Sequence, residues 1–494
     1  MTATETSERS STAPAPSSGS DPGELETCRR VRAQVDELPT EHPDAVAVRR
    51  ATAGIWKSLK LRRRADKRRE ITENDAAVTA ATATGATGRI DDETRGIPLV
   101  STAAGATAGV LRAARGCYVC KQRFTVVDAF YHQLCPSCAA TNHRHRDARA
   151  DLTGKRALLT GGRAKIGMYI ALRLLRDGAH TTITTRFPRD AARRFAALPD
   201  SPEWLHRLRI LGVDLRDPGQ VVALADDVAG QGPLDILVNN AAQTVRRSAG
   251  SYSSLAEAER APLPAGPLPE MVTFSAAARL HPAALTGVLD GAPVSPEFGA
   301  DLAALATTAR SASPERIAAG TAVDAGGLLP DTAVANSWVD HVEHVDPLEL
   351  LEVQLCNQTA PFIMISRLRP AMAASRARRK YVVNVSAMEG VFGRGYKGPG
   401  HPHTNMSKAA LNMLTRTSAQ EMFDADRILM TAVDTGWITD ERPHAMKLRL
   451  AEEGFHAPLD LSDGAARVYH PIVAGETGED LHGCFLKDFN RSSW

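Results

Sequence analysis

Thr160–Gly167 reads TGGRAKIG and contains three glycines in eight residues. Lys155–Thr160, which reads KRALLT, is strand-like and leads into this stretch. Apolar residues recur at helical spacing from Ile166 onward, and Gly178 ends this pattern. A glycine-rich turn between a strand and a helix lets the backbone approach a pyrophosphate, and the helix N-terminus offers unpaired N–H groups. The stretch therefore predicts a nucleotide-binding turn formed by Thr160, Gly161, Gly162, Arg163, Lys165, Ile166 and Gly167.

Strand-like runs alternate with helical patterns after this turn, which predicts an α/β fold with a parallel sheet and crossover helices. The further strands are expected at His180–Arg186, Arg209–Asp214, Asp235–Asn239, Tyr381–Ser386, Ile428–Asp434 and Cys484–Phe489. The alternation fails in residues 243–340, which are rich in Pro, Ala, Gly and Ser. Because a bare loop of that length is uncommon in a compact domain, we expect an insertion that is either a lid over the site or a partly disordered excursion.

Polar residues stand at the carboxyl ends of these predicted strands. Asp214 ends the third strand, where a carboxylate can meet an adenine amino group, and Asn240 and Ala241 follow the fourth. Ser386 ends the fifth strand, and Lys408 lies on the helix after it. Because open α/β sheets bind ligands at the carboxyl ends of their strands, the pattern predicts one shared site.

These motifs together give residues 151–494 a resemblance to the short-chain dehydrogenase/reductase family. The family's TGxxxGxG is TGGRAKIG here, with Lys165 in place of the middle glycine. Its NNAG is NNAA at residues 239–242, and its PG turn is Thr435-Gly436. The resemblance implies a doubly wound parallel sheet of the Rossmann type, and it adds Thr435, Gly436 and Lys408 to the expected cofactor-binding residues.

The resemblance also implies catalytic residues. Ser386 in VNVSAME would polarise the acceptor, Asn357 in LCNQTAPF would support a water relay, and Lys408 in SKAAL would hold the ribose and set local pKa values. The family has a tyrosine four residues before this lysine, where the chain has Thr404. An aliphatic hydroxyl is too weak an acid at neutral pH to replace a tyrosine.

Three explanations of the missing tyrosine are open. The loop at residues 393–403 offers Tyr396, His401 and His403 as proton donors, and His401 lies seven residues before Lys408, where the related enoyl reductases have their tyrosine. Lys408 or water can supply the proton instead. Alternatively, the domain binds nucleotide without turnover.

The end of the second strand favours NADP(H) over NAD(H). NAD-preferring sites place an acid there to bind the ribose 2′-hydroxyl, but this strand ends TTR at residues 184–186 and the next acid is Asp190. Arg186 can pair bidentately with a 2′-phosphate, and Arg163 and Lys165 add positive charge to the first turn.

A small cysteine module precedes the predicted reductase domain. Its two C-x-x-C pairs are separated by fourteen residues and consist of Cys117, Cys120, Cys135 and Cys138. Four thiolates suit tetrahedral Zn²⁺ and leave no open position, so we expect a structural zinc ion without metal catalysis. The module, Gly116–Arg149, is expected to dock on the reductase domain, cap its first strand or mediate assembly.

The chain has 494 residues and a net charge of +2, which gives no global signature of nucleic-acid or membrane binding. No apolar run reaches the ~20 residues of a membrane span, and the start shows no secretory signal, so a cytoplasmic protein is expected. Residues 1–26 are predicted to be disordered, and residues 27–115 to be a basic, partly helical segment followed by linker.

We therefore expect an NADP(H)-dependent oxidoreductase of the short-chain type, with a fused zinc knuckle and a large insertion. Its substrate would be a small molecule with a carbonyl, an imine or an activated C=C bond. The alternative is a non-catalytic NADP(H)-binding regulatory or scaffold protein that uses the zinc module to bind a partner. A homo-oligomer is an open option, and nucleic acid is not an expected partner.

Overall fold

The computed structural model describes residues 21–87, 89, 102–247, 249–274, 324–330, 335–439 and 441–494. The chain divides into two compact units, Met1–Glu73 and Asn74–Trp494. Most of the stretch predicted to be disordered, residues 1–20, lies outside the described residues, whereas residues 22–26 begin a helix. Pro22 and the Asp21 carboxylate, which accepts the N–H of Gly23, explain this start, because both favour a helix N-terminus.

Strands and helices follow one another in residues 156–239 and again in residues 347–487, as the sequence predicts. The helices are α1 (Pro22–Asp36), α2 (Pro43–Ala80), α3 (Pro136–Arg146), α4 (Lys165–Arg176), α5 (Pro188–Ala196), α6 (Ser201–Trp204), α7 (Pro218–Gly230), α8 (Ser253–Arg260), α9 (Pro347–Gln354), α10 (Ala360–Ala373), α11 (Pro402–Asp426), α12 (His444–Glu452) and α13 (Leu461–Glu476). The strands are β1 (Thr107–Gly116), β2 (Arg123–Asp128), β3 (Arg156–Leu159), β4 (His180–Thr185), β5 (Leu208–Gly212), β6 (Ile236–Asn239), β7 (Glu270–Thr273), β8 (Lys380–Ser386), β9 (Ile428–Asp434), β10 (Cys484–Lys487) and β11 (Asn490–Ser492).

The main sheet has the strand order β11-β10-β9-β8-β6-β3-β4-β5-β7. Its strand pairs in the described residues are parallel, except that β11 runs antiparallel to β10. The order reverses between β3 and β6, which opens a crevice for ligands at the carboxyl ends of these strands. The predicted doubly wound parallel sheet is confirmed, and β7 of the insertion adds an edge beside β5 that the sequence did not predict.

The core of the second unit lies on both faces of this sheet. Leu159 and Val238 pack with residues of α4 and α13 on one face. Their neighbours Leu158 and Leu237 pack with residues of α7 and α10 on the other face. Successive side chains of a strand point to opposite faces, so these strands are buried on both faces of the sheet. Their sequences are therefore continuous apolar runs.

Strand β1 leads into the cysteine module and pairs antiparallel with β2 inside it. The linker was expected in the last part of residues 27–115, but residues 107–115 belong to strand β1. Residues 88 and 90–101 of this segment lie outside the described residues. The Ala and Gly residues of β1 weaken its strand signal, but Leu111 is buried beside Phe124 and Val127. Pairing and burial with β2 therefore decide the conformation of this segment.

The insertion at residues 243–340 contains α8 and β7 and is otherwise described only in part; the helical piece expected at Pro296–Arg310 lies outside the described residues. Gly326, Leu328 and Trp338 of the insertion line the same cavity as the strand ends. Within the described ranges, no helix combines the length and the apolar character that crossing a membrane requires.

Candidate active site

The glycine-rich turn is fixed by hydrogen bonds to the end of β6. The hydroxyl of Thr160 accepts the backbone N–H groups of Asn240 and Ala241, both at 3.0 Å. In return, the Asn240 amide donates to the carbonyl oxygens of Thr160 at 3.0 Å and Gly161 at 3.2 Å. The turn after β3 and the segment after β6 are thereby held together at the point where the strand order reverses.

Two glycines of the turn are required by close packing. A Cβ on Gly167 would lie 2.0 Å from the carbonyl oxygen of Gly161, and a Cβ on Gly162 would lie 2.5 Å from a methyl carbon of Ile183. Lys165 replaces the family's middle glycine and has a φ of 52°, in the left-handed region that favours glycine. The turn therefore keeps its backbone path at a cost in backbone strain at Lys165.

A cavity of about 980 Å³ opens at the carboxyl ends of the strands. Most of the predicted site residues line it, namely Gly161, Arg163, Lys165, Ile166, Gly167, Arg186, Asp214, Asn240, Ala241, Ser386, His401, Lys408, Thr435 and Gly436. Four others do not line it, namely Thr160, Gly162, Asn357 and Tyr396. The first three of these lie in the buried or partly buried support of the site, whereas the Tyr396 side chain is 76% exposed.

Ser386 and Lys408 are both held at the carboxyl end of β8. The Ser386 hydroxyl donates to Asn412 Oδ1 at 2.5 Å, and Lys408 Nζ donates to the Val385 carbonyl oxygen at 2.9 Å. Burial lowers the pKa of Lys408 to about 8. The site thus holds a lysine that changes charge close to neutral pH.

Asn357 supports the site from a π-helical turn, Leu355–Thr359, between α9 and α10. Its Oδ1 accepts the N–H of Gln243 at 2.7 Å, and its Nδ2 donates to the Gln243 carbonyl oxygen at 2.9 Å and to Ser407 Oγ at 3.3 Å. Such single π turns are frequent at functional sites. Asn357 therefore ties the segment after β6 to α11, which carries Lys408.

The candidate proton donors His401 and His403 stand just before and just inside the start of α11. His401 lies on the cavity wall, stacked on Trp338 with a centroid distance of 4.0 Å, and its Nδ1 lies 2.9 Å from the Trp338 carbonyl oxygen. Burial lowers the pKa of His401 and also that of His403, which is buried and lies 3.9 Å from the Glu349 carboxylate. The hydroxyl of Thr404 donates to the His401 carbonyl oxygen at 2.8 Å.

Arg186 and Asp214 line the wall at the ends of β4 and β5. Arg216 binds the Asp214 carboxylate through Nε at 3.0 Å and Nη2 at 2.6 Å, and these bonds lower the pKa of Asp214 although burial alone would raise it. The Arg186 guanidinium lies over the rings of Tyr252 at 5.2 Å and Phe187 at 5.8 Å. A flat aromatic platform and an arginine are thus placed beside each other.

The charges of the first turn are paired. Arg163 forms an ion pair with Asp190, which is buried and also pairs with Arg194. Lys165 Nζ lies 3.8 Å from carboxylate oxygens of both Asp324 and Glu441. Because Asp324 belongs to the insertion, these contacts tie the insertion to the glycine-rich turn.

The four cysteines of the module form a cluster that can hold a metal ion. Their sulfur atoms all lie within 4.8 Å of one another, and the Sγ atoms of Cys120 and Cys135 are 3.7 Å apart. The backbone N–H of Cys135 donates to the sulfur of Cys117 at 3.3 Å. Four thiolates around a Zn²⁺ ion at ~2.3 Å would show separations of this size.

Among the cavity-wall residues that the sequence interpretation missed are Tyr118, Lys121, Trp338 and Asp434. Tyr118 and Lys121 belong to the cysteine module, and Trp338 belongs to the insertion. No local pattern predicts such contacts, because they depend on how distant segments dock. Asp434, in contrast, ends a predicted strand as Asp214 does, so the same signal was available for it.

Known proteins resemble this chain in sequence and in fold. Residues 155–260 match the short chain dehydrogenase family. The uncharacterized protein R665 of Acanthamoeba polyphaga mimivirus is 31% identical over 375 residues, which span 72% of this chain and 71% of the viral protein. The peroxisomal 2,4-dienoyl-CoA reductase of Pongo abelii is 34% identical over 129 residues, or 25% of this chain and 38% of that reductase. The NADPH-bound carbonyl reductase from chicken fatty liver has 16% identity and a TM-score of 0.42, covering 69% of this chain and 100% of its own.

The family match extends from β3 to α8 and includes the glycine-rich turn, Arg186, Asp214 and Asn240. The match with R665 extends over most of both chains. The family match, the strand order and the switch point described above agree that residues 155–260 form a nucleotide-binding half of the short chain dehydrogenase type.

Proposed function

We propose that this protein is an NADP(H)-dependent oxidoreductase that acts on a small molecule with a carbonyl, an imine or an activated C=C bond. The observation that carries the proposal is the shared cavity, where the glycine-rich turn meets Ser386 and Lys408. Its volume of about 980 Å³ is at the upper end of the ~300–1,000 Å³ of ligand pockets. A dinucleotide and a small acceptor need a pocket of this kind.

The residues of the chain divide the work of binding and orientation. When bound, the nicotinamide nucleotide supplies or accepts the hydride. Lys408 holds the ribose side of the site, and the Ser386 hydroxyl polarises the acceptor. Both the oxygen and the nitrogen of the Asn357 side-chain amide are hydrogen-bonded to the backbone of Gln243, so its role here is to position the segment after β6. A water relay through Asn357 stays a prediction.

Selectivity for NADP(H) is proposed to reside in Arg186. It lies on the cavity wall at the end of the second strand of the nucleotide-binding half, where NAD-binding sites have an acid. Arg163 is paired with Asp190, and Lys165 faces Asp324 and Glu441. Because Arg186 stands at the strand end that an acid occupies in NAD-binding sites, it is the residue of the three whose removal should discriminate most between the two nucleotides.

A direct test is a fluorescence titration of the purified, metal-replete protein with NADPH and NADH. In Arg186→Ala, NADPH binding should weaken by roughly 10- to 100-fold, as expected for a lost charge-assisted pair, while NADH binding stays close to wild type. Arg367→Ala removes an exposed arginine as a control. Failure of the wild type to bind either nucleotide would contradict the proposal.

We also propose that the four-cysteine cluster holds a structural zinc ion. The described sulfur geometry fits four thiolates, and complete coordination leaves no position for a substrate. Metal analysis of the purified protein should give one zinc per chain, and no zinc would contradict this assignment.

A second candidate function has one observation in its favour. Thr404 stands where the family has its catalytic tyrosine, and its hydroxyl is directed to the His401 carbonyl oxygen. A protein that binds NADP(H) without turnover needs no acid at this point. Incubation of bound NADPH with a panel of aldehydes, ketones, imines and enones separates the two functions, because only the oxidoreductase consumes NADPH.

A further inference from the structure

Asp434 lies beside the serine of the proposed active site. It is the last residue of β9, and its register partner on the parallel strand β8 is Ser386. Adjacent strands are ~4.8 Å apart, and register partners on parallel strands point to the same face. Both residues line the cavity. A carboxyl group is therefore placed next to the hydroxyl that is proposed to polarise the acceptor.

The Asp434 carboxyl has few partners. Asp434 is only 6% exposed. Among the described residues, its carboxyl group has one hydrogen bond, which Oδ1 accepts from the N–H of Gly436 at 3.3 Å. The described ion pairs do not include it. Since Oδ1 accepts the Gly436 N–H, Oδ2 is the oxygen that can carry a proton toward the cavity. A buried carboxyl without an ion pair is expected to hold its proton more firmly than an exposed one.

Charged groups from several elements surround this carboxyl. They are Glu389 after β8, Lys408 on α11, Lys487 and Asp488 at the end of β10, and Tyr118 of the cysteine module. Burial first, and then the Glu389 charge, raise the pKa of Asp434 to about 6, while the Gly436 N–H and Lys487 lower it. The carboxyl is thus tuned as in other enzymes whose carboxylic acids donate protons near neutral pH.

His401 is less suited to donate a proton. Its Nδ1 lies within hydrogen-bond distance of the Trp338 carbonyl oxygen, which can only accept, so Nδ1 carries the hydrogen. Burial lowers the pKa of the ring, which favours its neutral form. In a neutral ring with hydrogen on Nδ1, the other nitrogen, Nε2, has no proton to give.

We propose that Asp434 takes the place of the missing tyrosine as the acid–base residue of this site. This inference rests on the proposed oxidoreductase function. In the reducing direction, hydride adds to the acceptor carbon, and the electron pair of the breaking π bond takes the proton from Asp434 Oδ2. The nicotinamide is oxidised, the acceptor is reduced, and the Asp434 carboxylate regains a proton from solvent in the cavity. In the oxidising direction, the carboxylate accepts the hydroxyl proton.

The test compares the pH dependence of NADPH oxidation in wild type, Asp434→Asn, Asp434→Glu and the control Asp226→Asn, which changes an exposed carboxylate. The acceptor is whichever compound of the aldehyde, ketone, imine and enone panel the wild type reduces. In wild type, kcat for reduction should fall as pH rises above about 6, because the protonated carboxyl is the active form. Asp434→Asn should lower kcat by roughly 100-fold or more and lose this pH dependence.

Binding of NADPH, measured by fluorescence, should change less than about 3-fold in Asp434→Asn, because the residue acts on the acceptor. Asp434→Glu keeps a carboxyl and should retain part of the activity with a pH-dependent limb, and it serves as the deciding variant if the asparagine variant does not fold. An Asp434→Asn enzyme with wild-type kcat and pH profile overturns this inference and leaves the oxidoreductase proposal standing. If the wild type binds NADPH but does not oxidise it with any acceptor of the panel, both this inference and the oxidoreductase proposal are overturned.

Discussion

The phenol oxygen of Tyr118 accepts a hydrogen bond of 2.9 Å from the backbone N–H of Trp437. Tyr118 lies between two of the clustered cysteines, and Trp437 directly follows the Thr435-Gly436 turn. A second bond, from the hydroxyl of Tyr131 to Asp463 at 2.6 Å, also joins the module to the sheet domain. The cysteine cluster is thereby coupled to the cavity wall through the chain that carries its ligands.

If the cluster holds the proposed zinc ion, loss of that ion should weaken nucleotide binding as well as stability. Cys135→Ser removes one ligand, and we expect the free energy of unfolding to fall by roughly 3 kcal/mol or more, because metal binding and folding are linked. The NADPH affinity should fall in the same variant, since Tyr118 and Lys121 lose their fixed place on the wall. Urea denaturation, zinc content and NADPH titration measure the three quantities. Cys28→Ser is the control, because Cys28 is exposed and outside the cluster.

The coupling through Tyr118 can be tested without disturbing the metal. Tyr118→Phe removes the acceptor of the Trp437 N–H and should lower the free energy of unfolding by about 1 kcal/mol, with zinc content unchanged. Tyr131→Phe should cost more, because Tyr131 is fully buried and its hydroxyl donates to the buried carboxylate of Asp463. Equal stabilities of the two variants, or zinc loss from Tyr118→Phe, would argue against this account.

The fold was predictable because its signals are local. The apolar strands, the glycine-rich turn and the polar residues at strand ends, such as Asp214 and Ser386, follow from neighbouring residues and from the rule that ligands meet the carboxyl edge of a parallel sheet. Strand β1 and edge strand β7 were not predicted, because pairing partners elsewhere in the chain stabilise them.

The site was predictable only in part, because some of its residues come from segments that are distant in the sequence. Tyr118 and Trp338 reach the cavity from the module and the insertion, and no pattern in the sequence gives their docking. The positive charge of Lys165 follows from its residue type, but its pairing with Asp324 depends on the path of the insertion. The catalytic roles of His401 and Tyr396 stay predictions. His401 lines the cavity, whereas Tyr396 is exposed and does not line it.

Backbone strain at Lys165 gives a prediction that separates conformation from charge. Its φ of 52° is unfavourable for any residue with a Cβ, so Lys165→Gly should be more stable than Lys165→Ala by about 1 kcal/mol. Both variants lose the same contacts with Asp324 and Glu441, so the difference between them isolates the backbone. Urea denaturation measures it, and a more stable alanine variant would show that the turn is not strained. NADPH affinity should fall by the same factor in both variants if the ammonium group contributes to binding.

Burial of Lys408 should leave a signature in the pH dependence of stability. Its pKa is lowered to about 8 in the folded protein from an ordinary value of 10.5, so between these pH values the unfolded chain binds more protons than the folded one. The free energy of unfolding of the wild type should therefore gain from rising pH in this window, whereas below pH 8 the buried charge lowers stability.

Lys408→Met removes this charge and keeps the volume of the side chain. The variant should be more stable than wild type at pH 7 by about 1–3 kcal/mol, with an advantage that shrinks as pH rises toward 10. It should also lose NADPH oxidation, because the ammonium group is proposed to hold the ribose side of the site. Urea unfolding of both proteins at several pH values, with the exposed Lys60→Met as control, measures the difference and cancels the titration of other groups. A stability difference that does not depend on pH would mean that burying the charged Lys408 does not lower the free energy of unfolding. A variant that still oxidises NADPH would remove Lys408 from the proposed mechanism.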